Sequence, residues 1–239
     1  MGFLKHLYEA YIQIGSYQLR WLELIGVLIG LASAVGGMRR RVWAWPVGIV
    51  GNVLLIFVYI SVTFDAADGR APLFGQSGRQ IFFIITSAYG WWRWAQVRRR
   101  NSYASGAPAI TPRWATGGER LVLAGVWVGG LLLTQWVFAS IGAGWPAPRW
   151  YYWCDAWIFI GSMLATYAMA RGWNEFWLAW IAVDLVGVPL LLHSGYIPTA
   201  VLYAFYSVFV IYGFTVWLKA SRAAGPDVEA EPARDGVPA

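Results

Sequence analysis

The sequence predicts an all-α integral membrane protein with seven transmembrane helices in a 3+1+3 arrangement, in which a single helix joins two parallel three-helix repeats. Three observations support this prediction. Of the 239 residues, 59% are hydrophobic and only 13% are charged, about half the charged fraction of an ordinary soluble domain. Apolar stretches close to the ~20 residues that cross a bilayer recur along the whole chain. Residues 21–94 and 153–217 also have the pattern of one three-segment unit written twice.

The duplication appears when the first unit is shifted by 132 positions, from residue 21 to residue 153. The aligned pairs then include an acid, an arginine and a Trp-x6-Asn/Asp spacing: Trp21 with Trp153, Glu23 with Asp155, Arg39 with Arg171, Trp45 with Trp177 and Asn52 with Asp184. After a nine-residue excess in one loop of the first unit, Tyr89-Gly90-x-x-x-Trp94 aligns with Tyr212-Gly213-x-x-x-Trp217. Duplicated helical units are typical of transporters, with the substrate site where the two halves meet.

The first part of the chain contains an interfacial segment and three predicted helices. Residues 1–20 form the predicted interfacial segment, in which apolar residues at helical spacing over 1–18 favour an amphipathic helix. The first repeat, residues 21–97, has predicted helices at about 21–38, 42–62 and 78–97. Arginine triplets follow the first and third of these helices, and Pro46 lies in the first turn of the second, where proline is tolerated.

A connecting helix and a second repeat follow. Residues 98–118 are predicted as a cytoplasmic linker because this stretch is rich in Ser, Ala, Gly, Pro and Thr. The connecting helix, residues 119–141, belongs to neither repeat, since a second three-helix unit in the same orientation needs one extra crossing before it. The second repeat, residues 151–220, has predicted helices at about 151–170, 174–193 and 197–220. Residues 221–239 are predicted as a disordered cytoplasmic tail.

The basic residues indicate membrane topology rather than a nucleic-acid partner. The net charge is +6, but the arginines lie mainly in short loops between apolar segments, where positive charge sets orientation. Their distribution places the N-terminus outside and the C-terminus in the cytoplasm of a multi-pass plasma-membrane protein. Cys154 is the only cysteine, which excludes an intrachain disulfide and a cysteine metal cluster. Nucleotide, metalloprotease and hydrolase motifs are missing from the sequence, which therefore predicts no cofactor, metal or enzymatic activity.

Asn52 and Asp184 are predicted to contact a substrate. They are equivalent positions, each about ten residues into its helix, which is ~15 Å and close to the bilayer midplane. An ionised Asp there costs roughly 2.5–3.5 kcal/mol on insertion scales, so it is expected to face a cavity or a partner rather than lipid. The alternative is an interhelical hydrogen bond, worth about 0.6 kcal/mol on average. Pro189 lies just beyond Asp184 and is expected to free a backbone carbonyl beside the site or to make a packing kink.

Other candidates are polar or aromatic and occupy equivalent or neighbouring positions. Gln80 and Tyr203 each lie nine residues before the Tyr-Gly of their repeat; Gln80 is expected to bind substrate or to bond at a helix N-terminus. Trp45 and Trp177 begin their helices on the cytoplasmic side, where they could belong to an aromatic belt or stack on a flat ring. Trp180, one turn from Asp184, and Tyr206, one turn from Tyr203, could extend the same aromatic wall.

Two further patterns concern gating and packing. Glu23 and Asp155 match near the outer ends of their helices, where a gate or a helix-terminus role is favoured over ion coupling. Gly26-x-x-x-Gly30 and Gly125-x-x-x-Gly129 are close-packing motifs. The second motif lies on the connecting helix, where it could serve a contact between subunits.

Taken together, these residues resemble the PnuC family of vitamin transporters over roughly residues 20–220. The characteristic pieces are the stretch Trp45 to Asn52, Tyr89-Gly90-Trp91-Trp92-x-Trp94 and Trp177-x-x-Trp180-x-x-x-Asp184. The resemblance implies the 3+1+3 fold, facilitated transport without ATP, an ATPase subunit or an ion gradient, and assembly as a homotrimer. Members of the family carry nicotinamide riboside, thiamine or riboflavin.

Several stretches are similar to the riboflavin-transporting branch of that family, called RibM or PnuX. They are Gly37-Met38-Arg39-Arg40, Gly75-Gln76-x-Gly78-Arg79-Gln80, the run from Ala165 to Trp173, and Val183-Asp184-x-Val186-Gly187-Val188-Pro189. Asp184 also stands where nicotinamide riboside carriers typically have Asn. The resemblance therefore implies that riboflavin, a flat tricycle on a polyhydroxyl chain, is the substrate.

The resulting prediction is import of riboflavin and close flavin analogues by facilitated diffusion with alternating access, followed by trapping through phosphorylation. The alternatives are a nicotinamide riboside or thiamine facilitator of the same family, a proton-coupled symporter using Asp184, and a structural or enzymatic membrane protein. The predicted partners are the substrate, the lipid bilayer and two further copies of the chain, with no nucleic acid. The predicted substrate-binding residues are Trp45, Asn52, Gln80, Trp177, Trp180, Asp184, Tyr203 and Tyr206, and the gate candidates are Glu23 and Asp155.

Overall fold

A computed structural model describes residues 11–14, 17–64, 74–100, 107–140, 149–193 and 197–224. Within these residues, a two-stranded antiparallel hairpin precedes seven helices. The elements are β1 (Tyr11–Ile14), β2 (Tyr17–Arg20), α1 (Trp21–Met38), α2 (Ala44–Phe64), α3 (Phe74–Arg100), α4 (Gly117–Ser140), α5 (Arg149–Arg171), α6 (Glu175–His193) and α7 (Ile197–Ala223). The prediction of seven helices is confirmed for this part of the chain.

The chain folds as two compact units, residues 1–109 and residues 110–239. In the first unit α1 packs against α2, and α2 packs against α3. In the second unit α4 packs against α5, α5 against α6, and α6 against α7. Each unit therefore contains three consecutive helices in sequential contact, and α4 is an addition to the second. The 3+1+3 arrangement of parallel repeats stays a prediction.

The observed helices follow the predicted ones closely. The largest difference is at the start of the third helix, predicted at Gly78 and observed at Phe74. Three stretches of the described chain combine the length and apolar character needed to cross a membrane: Gly117–Ser140, Glu175–His193 and Tyr203–Ala223, with mean hydropathy of 1.8, 1.8 and 1.3. Helix α4 buries none of its side chains, which fits a helix that exposes apolar residues to lipid.

The chain ahead of α1 differs from the predicted amphipathic helix over residues 1–18. Residues 11–14 and 17–20 pair as antiparallel strands, with Tyr11 opposite Arg20 and Ile14 opposite Tyr17; residues 1–10 lie outside the described part of the chain. Tyr and Ile favour extended structure, and the sequence between the strands is Gly-Ser, a pair typical of two-residue hairpins. The helical prediction was wrong here because it weighed apolar spacing and overlooked this turn signal.

The α1–α2 and α5–α6 connections have the same backbone geometry. Just beyond the end of α1, Arg40 has a φ of 56°, and just beyond the end of α5, Gly172 has a φ of 77°. After each, the next residue donates its N–H back into the helix, from Arg41 to Gly36 O and from Trp173 to Ala168 O, both at 2.9 Å. This is the Schellman ending, in which a left-handed residue lets two terminal N–H groups satisfy helix carbonyls. Arg40 and Gly172 also correspond under the 132-residue shift from residue 21 to residue 153.

Residues 98–100 and 117–118 of the predicted cytoplasmic linker belong to α3 and α4, and its residues 107–116 are packed rather than free on the surface. In the first unit, the N–H of Ala109 donates to the carbonyl of Arg40 at 2.7 Å. In the second unit, the N–H of Arg113 donates to the carbonyl of Gly172 at 3.0 Å, and the N–H of Asn174 donates to the carbonyl of Arg113 at 2.8 Å. Helix ends leave carbonyls without partners, and this segment satisfies them. Composition alone did not indicate that pairing.

Candidate functional site

In the first unit, Trp45 is packed into a gap made by a glycine. Its side chain is 3% exposed and lies against Gly90 of α3, where an added Cβ would meet three atoms of the indole ring at 2.5–2.6 Å. Trp94, one turn further along α3 and fully buried, contacts the same ring edge-on, with centroids 5.1 Å apart and planes at 88°. This contact fixes α2 against α3.

The second unit has the same arrangement at the equivalent positions. Trp177 is 3% exposed and lies against Gly213 of α7, where an added Cβ would overlap the indole ring. Trp217, also fully buried, contacts it edge-on at 6.1 Å and 82°. The indole N–H groups of Trp45 and Trp177 are both buried without a hydrogen-bond partner in the described part of the chain. The same Trp–Gly–Trp contact therefore occurs once in each unit, and the predicted role of Trp45 and Trp177 in substrate binding stays a prediction.

Helix α6 is oriented by its contact with α5. Val183, 1% exposed, faces Gly161 of α5, where an added Cβ would come within 2.6 Å of the valine. Beside it, the indole N–H of Trp157 donates to the carbonyl of Ala182 at 2.9 Å. Successive residues of an α-helix point about 100° apart. With Val183 against α5, the next residue, Asp184, is turned toward α7.

Asp184 is 7% exposed and accepts a hydrogen bond from the hydroxyl of Ser207 on α7, with Oγ and Oδ2 2.9 Å apart. Ser207 is the one hydrogen-bond partner that the described residues give Asp184. Three residues further along α6, Gly187 faces Tyr203 of α7, whose ring an added Cβ would meet at 3.2 Å. Asp184, Ser207 and Tyr203 thus form one polar and aromatic patch on the facing sides of α6 and α7, named here the α6–α7 patch.

The remaining candidates have varied degrees of burial. Gln80 in α3 is 3% exposed, whereas Asn52 in α2, Trp180 in α6 and Tyr206 in α7 are half-buried. Gln80 and Asn52, the polar candidates of the first unit, are therefore not fully exposed to the surroundings of the helices. A substrate role requires this. Tyr206 contacts Phe205 edge-on at 6.4 Å.

The structure says little about the two gate candidates, Glu23 and Asp155. Asp155 is exposed near the start of α5. The backbone of Glu23 belongs to α1, but its side chain lies outside what the structure describes. A gate role for either residue stays a prediction.

A group of paired charges, which sequence reasoning missed, lies where the linker meets the starts of α4 and α6. The guanidinium of Arg113 donates to both carboxylate oxygens of Glu119, at 2.8 and 2.7 Å. Arg120 donates to Glu175 at 2.7 Å, and Glu175 also accepts from the backbone N–H of Ala115 at 3.0 Å. An open cavity of 710 Å³ borders Arg120 and Glu175. Because these charges are paired with each other, the group fixes the linker to the helix starts.

A family model described as "Nicotinamide mononucleotide transporter" matches residues 20–219. The chain belongs to this family. The match covers all seven helices almost to their ends. It confirms the membership that the Trp, Asn and Tyr-Gly motifs predicted, and it identifies the chain as a multi-pass membrane protein related to transporters.

Two curated relatives are named for different substrates. The chain is 33% identical over 214 residues to the "Riboflavin/roseoflavin transporter RibM" of Streptomyces davaonensis, covering 89% of this chain and 92% of that one. It is 21% identical over 234 residues to the "Nicotinamide riboside transporter PnuC" of Escherichia coli, covering 90% of this chain and 92% of that one. Both relatives are transporters and are matched over nearly their full length.

A solved structure supports the fold. The chain superposes on the crystal structure of the vitamin B3 transporter PnuC with a TM-score of 0.64. The superposition covers 86% of this chain and 83% of that chain, at 18% sequence identity. The superposition shows that the two chains share a fold.

Proposed function

We propose that this protein imports riboflavin and close flavin analogues across the plasma membrane by facilitated diffusion with alternating access. The observation that carries the proposal is the 33% identity to a riboflavin/roseoflavin transporter across 89% of the chain. The corresponding identity to a nicotinamide riboside transporter is 21%. The presence of Asp184 in the α6–α7 patch supports the same choice, because nicotinamide riboside carriers typically have Asn at this position.

The α6–α7 patch provides the chemistry that a flavin requires. Isoalloxazine is a broad, flat and uncharged tricycle, which suits an aromatic side chain such as Tyr203, while the ribityl hydroxyls suit a carboxylate such as that of Asp184. We include as substrate-contacting residues Asn52 and Gln80 in the first unit, and Trp180, Asp184, Tyr203 and Tyr206 in the second. Trp45 and Trp177 belong to the proposed set as well, but at 3% exposure each would touch the substrate only at a ring edge.

The proposed transport has no driving reaction, and this determines how far uptake can proceed. A facilitator with equal access to both sides equilibrates its substrate and cannot concentrate it. Phosphorylation by a cytoplasmic kinase would then trap the vitamin, since the phosphorylated product is charged. The N-terminus is outside and the C-terminus cytoplasmic in this scheme, with Glu23 and Asp155 at the outer gate and the protein assembled as a homotrimer.

Purified protein in liposomes tests the proposal directly. The fluorescence of riboflavin should be quenched on binding, because stacking on aromatic side chains quenches flavin fluorescence. Vesicles that contain the protein should take up riboflavin until the inner and outer concentrations are equal. Vesicles that also contain a flavokinase and ATP should go on accumulating flavin. Accumulation without the kinase that collapses with an uncoupler would contradict facilitated diffusion, and a lack of any riboflavin flux would contradict the function.

The second candidate is a nicotinamide riboside carrier with the same mechanism, favoured by the 21% identity to such transporters and by the fold of the vitamin B3 transporter. Competition separates the two. Labelled riboflavin uptake should fall in the presence of excess unlabelled riboflavin and stay unchanged with excess nicotinamide riboside or thiamine. Uptake of labelled nicotinamide riboside without uptake of riboflavin would assign the protein to the second candidate.

A further inference from the structure

Among the described residues, Ser207 is a hydrogen-bond partner for one carboxylate oxygen of Asp184 and the other oxygen has none. Ser207 Oγ lies 2.9 Å from Oδ2 of Asp184, and the described residues provide no second hydrogen bond to this side chain. An ionisable group inside a membrane helix is unfavourable unless it is paired or has a function. The second oxygen, Oδ1, is therefore available to an external donor.

The position of Ser207 determines which way the carboxylate faces. Its hydroxyl lies 2.9 Å from Asp184 Oδ2 and also 2.9 Å from the carbonyl of Tyr203. A serine hydroxyl has one proton and can donate it to one acceptor at a time. The Tyr203 carbonyl also accepts the ordinary helical bond from the backbone N–H four residues later, whereas a bond to a carboxylate is the stronger of the two. Ser207 is thus free to hold Oδ2 and to keep the carboxylate plane fixed.

A carboxylate held at one oxygen suits a hydroxyl donor better than a flat ring. Carboxylates of Asp and Glu bind the sugar hydroxyls of dinucleotides in this way, and the second lone pair of the Ser207 hydroxyl can accept from a neighbouring hydroxyl. Tyr203 lies one turn from Ser207 on α7. Its ring packs against Gly187 of α6, where an added Cβ would be 3.2 Å from the ring. A polyol group on Asp184 would therefore leave the aromatic side chain to the ring system.

We infer that Ser207 is a positioning residue that orients Asp184 to bind the polyhydroxyl chain of the substrate. The inference rests on the proposed function, since it assigns the ribityl chain of riboflavin to Asp184. It adds a residue of α7 that neither the repeat pattern nor the family resemblance indicates, and it divides the substrate into a polyol part and a ring part.

The test compares riboflavin with lumiflavin, which has the same ring and a methyl group in place of the ribityl chain. Riboflavin is titrated by fluorescence quenching, and lumiflavin is measured as a competitor against it, in the intact protein and in three variants. Ser207→Ala should weaken riboflavin binding about ten-fold or more, as expected for a lost hydrogen bond to a charged group, and should change lumiflavin binding less than about two-fold. Ser207→Thr, which keeps the hydroxyl, should restore riboflavin binding.

Ser162 provides the matched control. Its hydroxyl also donates to the carbonyl four residues earlier, at 2.6 Å, and the described residues give it no carboxylate partner. Ser162→Ala should leave both ligands bound as in the intact protein. Equal weakening of riboflavin and lumiflavin by Ser207→Ala, or no weakening of either, would overturn the inference. Failure of the unmodified protein to bind riboflavin would instead refute the proposed function, so the two failures are distinguishable.

Discussion

Replacing Gly90 with alanine should destabilise the first unit because the new Cβ would occupy space that Trp45 already fills. The added atom would be 2.5–2.6 Å from three atoms of the indole ring, where real Cβ atoms essentially never come closer than 3.0 Å. The ring would have to move by roughly 1 Å to reach van der Waals contact. Trp45 is 3% exposed and is packed edge-on against Trp94, so it has little room to move.

The size of the effect follows from two opposing contributions. Overpacking of this kind costs about 1–3 kcal/mol, whereas Gly→Ala inside a helix favours folding by up to about 1 kcal/mol. With about 2 kcal/mol for the overpacking, the middle of its range, the net destabilisation should be about 1–2 kcal/mol, or roughly 2–8 °C in Tm for a protein of this size. The measurement is the midpoint of thermal unfolding in detergent, followed by tryptophan fluorescence or by loss of the monodisperse chromatographic peak.

Gly129→Ala is the matched control, because an added Cβ there meets nothing within 4 Å. It should leave the midpoint unchanged or raise it slightly. The Trp45→Phe substitution removes the ring atoms that clash, so the double variant Gly90→Ala with Trp45→Phe should be more stable than the sum of the two single changes predicts. Equal midpoints for Gly90→Ala and Gly129→Ala, or strictly additive effects in the double variant, would refute the packing argument.

Four further predictions follow from the charges and the proposed site. Glu119→Gln should destabilise the protein by about 1–3 kcal/mol, because Arg113, with 9% of its side chain exposed, would lose its bidentate partner. Arg120→Gln should cost about 0–1 kcal/mol, since that side chain is 53% exposed; both are read from thermal midpoints. Asn52→Ala should abolish riboflavin binding while the chromatographic size stays that of the intact assembly. An imposed pH gradient should not drive accumulation of riboflavin, either by the unmodified protein or by Asp184→Asn.

Each of these predictions has a result that contradicts it. Equal loss of stability in the Glu119 and Arg120 variants would mean that burial does not decide the strength of the two ion pairs. Unchanged riboflavin affinity in the Asn52 variant would place the binding site elsewhere. Accumulation driven by a pH gradient that is lost in Asp184→Asn would support the proton-coupled alternative.

The glycines show how local pattern and tertiary contact can disagree. The motif Gly125-x-x-x-Gly129 is a typical close-packing sequence, yet an added Cβ at either position meets nothing within 4 Å in the described chain. The two closest contacts among the described glycines are instead at Gly90 and Gly213, which belong to the Tyr-Gly pieces of the two repeats. The sequence showed those two glycines as a matched pair, but it did not show that each one makes room for a tryptophan.

Ser207 illustrates why part of the site could not be predicted. It is separated from Asp184 by 23 residues and lies on another helix. Membrane helices are apolar over most of their surface, so the sequence hardly records which side faces which neighbour. The facing of Asp184 toward α7 depends on the contact of Val183 with Gly161 on α5, and the sequence could only indicate that Asp184 needs a partner or a cavity.

The sequence by itself determined the number and approximate bounds of the helices, because each crossing of a bilayer needs a long apolar stretch and because charged loops separate these stretches. It also determined the family, through aromatic and polar residues at fixed spacing. Only the tertiary structure decided which side chains are packing residues and which form the α6–α7 patch. Helix rotation and close approach depend on contacts between residues far apart in the chain, and the hydrophobic pattern does not encode them.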